Sequence, residues 1–187
     1  MNYPQFIIEH LEPKLWKWCL IEYEQMSKIV GKNNLIFTNI KNNSKYLEKF
    51  GKVKKQSVKK MILKNVCILD PEAEKTLTTK EAKQFKYFIL GGILGDNPPR
   101  KRTEEELTPF VNNGIVRNIG KKQLSTDNAV YVTWKIYNGT PLNKIKFKDE
   151  IEIKINETES TILPYSYPVI NDKPLISKKL VEYLKKH

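Results

Sequence analysis

Hydrophobic and polar positions along the chain predict strands that alternate with helices. Short, continuously apolar runs, which are typical of buried strands, lie at residues 5–10, 34–40, 65–71, 86–92 and 114–120. Apolar residues at three- and four-residue spacing predict helices from Pro13 to about Gly31, at 78–85 and at 124–139. This alternation favours an α/β fold with a mostly parallel sheet and helices on both of its faces.

The C-terminal part of the chain has a different pattern. Residues 140–176 contain stretches that alternate polar and apolar positions, as exposed strands or an extended tail would, and 177–186 has the spacing of an amphipathic helix. No repeat or low-complexity linker divides the sequence, and 187 residues suffice for one core. We therefore predict a single domain over 1–187, with a C-terminal extension from about 140 to 187.

Charge narrows the possible partners. The formal net charge is +12, and residues 41–64 hold nine lysines against a single acidic residue, Glu48. Such a segment is either a solvated surface or a contact for an anionic partner such as RNA. Basicity alone does not decide between the two.

Residue types disfavour several other kinds of site. Two cysteines, Cys19 and Cys67, and two histidines give no metal-ligand spacing, so we predict no metal. Both cysteines fall in apolar stretches, which predicts core positions and suits a reducing compartment, the cytoplasm. No apolar run approaches the roughly 20 residues that span a bilayer, so we expect no membrane contact.

The loop GGILGDNPPRKR at 91–102, directly after a predicted strand, carries the most informative chemistry. It is not a P-loop, because Asp96 stands where the lysine would be. Pro98 and Pro99 also prevent the helix that would follow a Rossmann glycine motif. The glycines instead offer backbone N–H and C=O groups at close range, which suits a ligand with hydrogen-bonding edges and a positive charge. S-adenosylmethionine (SAM) has both.

A second turn, NIGKKQLSTD at 118–127, supports this interpretation. It places a glycine turn before Ser125 and Thr126, at the start of a predicted helix where backbone N–H groups are free. Alone, this pattern describes a well-capped helix. Beside the glycine-rich loop, it favours a shared ligand pocket.

At these two loops the sequence also resembles a known family. GGILGDNPPRKRT and RNIGKKQLSTDNAV, together with FIIEHLEP, CILDPEAEKTLT and LPYSYP, resemble the SPOUT class of methyltransferases, in the branch that contains the fungal arginine methyltransferase of a ribosomal protein. The resemblance runs through most of the chain in order and is weakest at 39–64. It implies a C-terminal deep trefoil knot, with knot and cofactor pocket at about 65–139, SAM as cofactor and S-adenosylhomocysteine (SAH) as product.

The same resemblance implies that three segments hold the cofactor: the end of the strand at 65–71, the glycine-rich loop and the turn at 118–127. The residues implied are Leu69, Asp70, Pro71, Leu90, Gly91, Gly92, Leu94, Gly95, Ile119, Gly120, Gln123, Leu124, Ser125 and Thr126.

The resemblance further makes Asp96, Glu9 and Arg100 candidates for the reaction centre. An arginine acceptor is a charged guanidinium and a poor nucleophile, so carboxylates are needed to hold it and to take its proton. Glu9 and Asp96 end strands that should be neighbours and would form this clamp, unless Glu9 pairs with a surface lysine and Asp96 only caps a turn. Arg100 would anchor the cofactor carboxylate or an acidic neighbour of the acceptor, whereas Lys101 and Arg102 are expected to face solvent.

Three functions stay open at this point. The first is SAM-dependent methyl transfer to a protein arginine, with a ribosomal protein or particle as partner. The second is RNA methylation on the same fold, with Lys41–Lys64 as a phosphate track. The third is a non-catalytic module that binds RNA or ribosomes. The sequence is compatible with a monomer or a homodimer.

Overall fold

The central sheet has six parallel strands. In chain order they are β1 (Gln5–His10), β2 (Leu35–Thr38), β3 (Lys52–Val53), β4 (Val66–Leu69), β5 (Tyr87–Gly92) and β6 (Gly114–Arg117). In the sheet they follow the order β3-β2-β1-β5-β4-β6, and every pairing is parallel. The predicted parallel α/β fold is thereby confirmed.

The structure is a computed structural model and describes residues 3–42, 44–96 and 98–186, so Asn97 of the glycine-rich loop lies outside it. The helices are α1 (Lys17–Val30), α2 (Ser44–Leu47), α3 (Thr79–Ala82), α4 (Arg102–Glu106), α5 (Thr126–Tyr137) and α6 (Lys178–Leu184). Short 3-10 turns lie at 32–34, 58–60, 108–110 and 142–144.

One face of the sheet is covered by α1 and α5, which pack against each other. Cys19, Tyr23, Met26 and Val30 repeat at helical spacing along α1, and all four are buried in the main core cluster. Cys67 of β4 lies in the same cluster. Burial raises the pKa of both cysteine thiols to about 12, so the predicted core positions are confirmed.

The other face of the sheet is covered only by short elements. Ile7, Ile68 and Ile89 pack there against Val58, from the 3-10 turn at 58–60, and Leu107, which ends α4. The prediction of helices on both faces is therefore correct only for short ones. In the described part of the chain, no helix longer than five residues lies on this face.

The C-terminal extension forms a small sheet of its own. Strands β7 (Phe147–Lys154), β8 (Ser160–Ile170) and β9 (Lys173–Pro174) pair in an antiparallel manner, and α6 follows them. Of the two predicted forms, exposed strands and extended tail, the strands are found. Ile151, Leu163 and Tyr167 bury one side of this sheet with help from Trp18 of α1.

Membrane-spanning helices and metal sites are both absent from the described residues. None of their helices has the length and apolar character needed to cross a bilayer. Within the same ranges, no three His, Cys, Asp or Glu side chains come together as a metal site.

Candidate functional site

A cavity of about 270 Å³ lies where the loops that follow β4, β5 and β6 meet. The loops meet because the strands are parallel, so their carboxyl ends share one edge of the sheet. Predicted cofactor residues that line it are Leu69, Asp70, Pro71, Leu90, Gly91, Gly95, Ile119, Gly120, Gln123, Leu124 and Thr126. Asp96 and Arg100 also line it, Asp96 half-buried and Arg100 exposed.

The loop after β5 is held by Glu12 and Tyr165. The backbone N–H of Leu94 donates to Glu12 Oε1 at 3.0 Å, and Arg102 Nη1 donates to the same oxygen at 2.7 Å. The hydroxyl of Tyr165, on β8, donates to the carbonyl of Gly95 at 3.1 Å. Arg102 therefore forms a structural ion pair with Glu12, and its side chain is 14% exposed. The expectation that Arg102 faces solvent is wrong.

The start of α5 is tied to that loop. The Thr126 hydroxyl lies 3.3 Å from the carbonyl oxygens of both Gly91 and Ile93, and it donates to them. In the preceding turn, Asn118 Oδ1 accepts from the backbone N–H of Gly120 at 3.1 Å. These bonds fix the two predicted loops against each other, as a shared pocket requires.

Gly95 shows why the loop needs a glycine beside the cavity. A Cβ at this position would lie 2.6 Å from the Tyr165 ring and closer still to the Gln123 side-chain nitrogen. A side chain at position 95 would therefore push both groups aside. The backbone of Gly95 can approach a ligand only because no side chain is present.

Three predicted cofactor residues lie outside the cavity lining. Gly92 is buried and faces Tyr23 of α1, since neighbouring strand residues point to opposite faces. Leu94 packs against the main core cluster. The Ser125 hydroxyl donates to Asp127 Oδ1 at 2.6 Å and accepts from Asn128 Nδ2 at 2.8 Å, so its partners lie within the first turn of α5.

Glu9 does not reach the cavity, which corrects the predicted clamp with Asp96. β1 and β5 are neighbours as expected, but Glu9 is 0% exposed. Its carboxylate accepts from Thr38 Oγ1 and Ser57 Oγ at 2.5 Å each, and from the Val58 backbone N–H at 2.9 Å. Three internal donors occupy this carboxylate, so it joins the end of β1 to β2 and to the lysine-rich segment.

Glu9→Gln is expected to lower the free energy of unfolding by about 2–3 kcal/mol, because the amide NH₂ cannot accept from donors that the carboxylate satisfied. Cofactor affinity should stay within about twofold. Urea unfolding and calorimetry would measure the two quantities, with Glu48→Gln on an exposed glutamate as the matched control. A stable variant with lost activity would return Glu9 to the reaction centre.

Sequence and fold both resemble those of known proteins. The model of the family described as protein arginine N-methyltransferase SFM1-like matches residues 5–187. The chain belongs to the SFM1-like protein arginine N-methyltransferase family.

Members of the SFM1-like family include the protein arginine N-methyltransferase SFM1 of Saccharomyces cerevisiae. The two sequences are 35% identical over an alignment of 201 positions, which covers 97% of this chain and 94% of the yeast protein. The structure of the yeast arginine methyltransferase SFM1 complexed with SAM superposes with a TM-score of 0.88 at 34% identity, over 98% of this chain and 90% of that one. Its complex with SAH gives 0.87 at 33%, over 96% and 94%.

A more distant likeness concerns the fold alone. The structure of a dual specific Trm10 from Thermococcus kodakaraensis has a TM-score of 0.61 at 19% identity, over 76% of this chain and 96% of that one. The SFM1-like fold of this chain therefore agrees with the SPOUT resemblance. Glu12 and Tyr165 stand in the quoted stretches FIIEHLEP and LPYSYP, but no local pattern predicted that they position the loop after β5, because their partners are 82 and 70 residues away.

Proposed function

We propose that the protein transfers the methyl group of SAM to an arginine side chain of another protein. The observation that carries this proposal is the cavity between the three strand-end loops, with Asp96 on its wall. The relatives support it, since the yeast SFM1 protein is named an arginine methyltransferase and has been solved with SAM and SAH.

The residues around the cavity fit an adenosyl cofactor. Leu69, Leu90 and Leu124 supply apolar surface for a purine ring, and the glycine-rich segments supply backbone hydrogen-bonding groups. The volume of about 270 Å³ is near the lower end of small-molecule pockets, roughly 300–1,000 Å³. Arg100, on the exposed side of the lining, would hold the carboxylate of the methionine part.

When bound, SAM supplies a methyl carbon that its sulfonium activates. The protein has to align a guanidinium nitrogen with that carbon, exclude water and accept a proton. An N–C bond forms as the S–C bond breaks, and the guanidinium gives up one proton. Asp70, Glu72 and Asp96 line the cavity, and we assign this proton to Asp96.

We further propose that the segment around the cavity is knotted. Strand β4 lies between β5 and β6, so the chain must cross β4 to reach β6, and it does so by way of α4 on the thinly covered face. It then returns to the opposite face as α5. This double change of face supports a trefoil knot. An experimental structure in which residues 118–126 do not pass through the loop formed by the preceding segments would contradict it.

The acceptor is proposed to be an arginine of a ribosomal protein in the cytoplasm. Purified protein should be incubated with ribosomal particles and SAM labelled in its methyl group, and the products then treated with protease or RNase. We expect label in protein arginines. Label that survives protease and is lost with RNase would identify an RNA methyltransferase, and absence of SAM binding by calorimetry would favour the non-catalytic module.

The lysine-rich segment Lys41–Lys64 supports a contact with RNA near that acceptor. Among the described residues, none of its lysines has a carboxylate within ion-pair distance. Lys55→Glu with Lys60→Glu is expected to weaken RNA binding at least about tenfold and to flatten its salt dependence. Lys148→Glu with Lys154→Glu makes the same charge change on β7, and equal losses in both variants would contradict the proposal.

A further inference from the structure

Two carboxylates are buried side by side next to the cofactor cavity. Glu22 lies on α1 and is 5% exposed, and Asp127 lies in the first turn of α5 and is 4% exposed. Burial raises the pKa of Glu22 well above its usual value, and the neighbouring Asp127 raises it further. Burial also raises the pKa of Asp127, to about 6.

The side chains of this pair accept hydrogen bonds from neutral donors. The Trp18 indole N–H donates to Glu22 Oε1 at 2.8 Å. Ser125 Oγ at 2.6 Å and the Asn128 backbone N–H at 2.9 Å donate to Asp127 Oδ1. In the part of the chain that the structure describes, no lysine or arginine lies within 4.0 Å of either carboxylate. Two such charges are costly to bury without a cation.

A third acceptor in the same group has no donor at all. Asn128 is 1% exposed, and its side-chain oxygen Oδ1 is buried without a hydrogen-bond partner among the described residues. The other end of this amide, Nδ2, donates to the Ser125 hydroxyl, which in turn donates to Asp127. The start of α5 is therefore rich in acceptors and short of donors, which is the reverse of what a satisfied core requires.

The acidic pair adjoins the cavity. Thr126, between Ser125 and Asp127, lines the cavity, and its backbone N–H hydrogen-bonds to Glu22. Burial raises the pKa of Tyr165, and the charges of Glu22 and Asp96 raise it further. The Tyr165 hydroxyl donates to the carbonyl of Gly95, the residue before Asp96. Tyr165 also packs in the same apolar cluster as Trp18, which donates to Glu22, so it lies between the cavity loop and the side of α1 that carries the pair.

We propose that Glu22, Asp127 and Asn128 Oδ1 form the subsite that receives the guanidinium group of the acceptor arginine. A guanidinium brings five N–H donors in one plane and a full positive charge. It would therefore supply both the missing hydrogen-bond donors and the missing cation. Trp18 and Tyr165, half-buried members of one apolar cluster, provide aromatic faces on which such a group can stack. The inference rests on the proposed function, and it assigns the acceptor's guanidinium to Glu22 and Asp127 in place of Glu9.

The test uses the full chain loaded with SAH, and methylguanidinium as the probe. Because the Trp18 indole donates to Glu22, its N–H resonance should shift saturably on titration, while those of Trp16 and Trp134 stay as references. Glu22→Gln is expected to weaken this binding by about tenfold or more, since one partner of a buried charge pair is lost. Glu24→Gln, two residues along α1 and paired with Lys28 and Lys179, is the matched control and should bind like the unaltered protein.

The outcomes separate the two proposals. If the unaltered protein does not bind SAH, the proposed function fails. If it binds SAH but Trp18 does not respond, or Glu22→Gln binds the probe as well as Glu24→Gln does, the guanidinium subsite is overturned and the pair is structural. If Glu22→Gln does not fold, Asp127→Asn gives the same comparison from α5, with the same expected loss.

Discussion

Asp96→Asn is expected to lower the rate of methyl transfer at least about 100-fold while cofactor affinity stays within about twofold. Asparagine keeps the size and polarity of the side chain but cannot take the proton that the guanidinium must lose, and proton acceptors typically contribute 10²–10⁴-fold. Single-turnover transfer to an acceptor protein measures the rate, and calorimetry with SAM measures the affinity. A lower transfer rate at an unchanged SAM affinity is the essential result.

Asp172→Asn is the control for this change. Asp172 is exposed in the turn between β8 and β9 and has a φ of 59°, which asparagine adopts readily. The same substitution there should alter neither rate nor affinity. If Asp96→Asn turned over normally, Asp96 would only cap the loop and the proton would have to go elsewhere. If it lost SAM binding, its role would lie in holding the cofactor.

The parts of the site that the sequence predicted are those fixed by local pattern. Continuous apolar runs identified β4, β5 and β6, and strands of that kind lie in parallel sheets with their carboxyl ends at one edge. The turns that follow these strands line the cavity, as the positions of Leu69, Gly95 and Gln123 show. The helix predicted at 124–139 begins at Thr126, with Ser125 as its N-cap, so the Ser-Thr pair marks the start of α5.

The carboxylates could not be assigned in the same way. Glu9 ends a strand, but its partners Ser57 and Val58 come from 48 and 49 residues away, and nothing near Glu9 in the sequence shows them. Glu22 could not be predicted as a buried residue, because a charged residue on an amphipathic helix is normally solvated. Only the packing of α1 against α5 buries it beside Asp127. Which carboxylate is free to bind a ligand therefore depends on tertiary contacts.

Gly92→Ala is expected to destabilise the protein by about 3 kcal/mol, through the fold and not through the cofactor. A Cβ at position 92 would lie 3.0 Å from Ile8 Cγ2 and 3.2 Å from the Glu9 carbonyl, and it would collide with the Tyr23 hydroxyl. Tyr23 cannot easily move, because it is 1% exposed and its hydroxyl is hydrogen-bonded to His10 Nδ1 at 2.8 Å. Urea unfolding would measure the loss.

The neighbouring glycine gives the matched comparison. Gly91 lines the cavity, and a Cβ there meets mainly the flexible end of Ile93, so Gly91→Ala should weaken SAM binding and cost little stability. Tyr23→Phe removes the oxygen that the new Cβ would meet; in that background, Gly92→Ala should cost roughly 1–2 kcal/mol less than it does alone. If Gly92→Ala folded normally and lost SAM binding, Gly92 would belong to the cofactor site after all. The pair of glycines thus tests, at adjacent positions, which face of β5 serves the core and which serves the ligand.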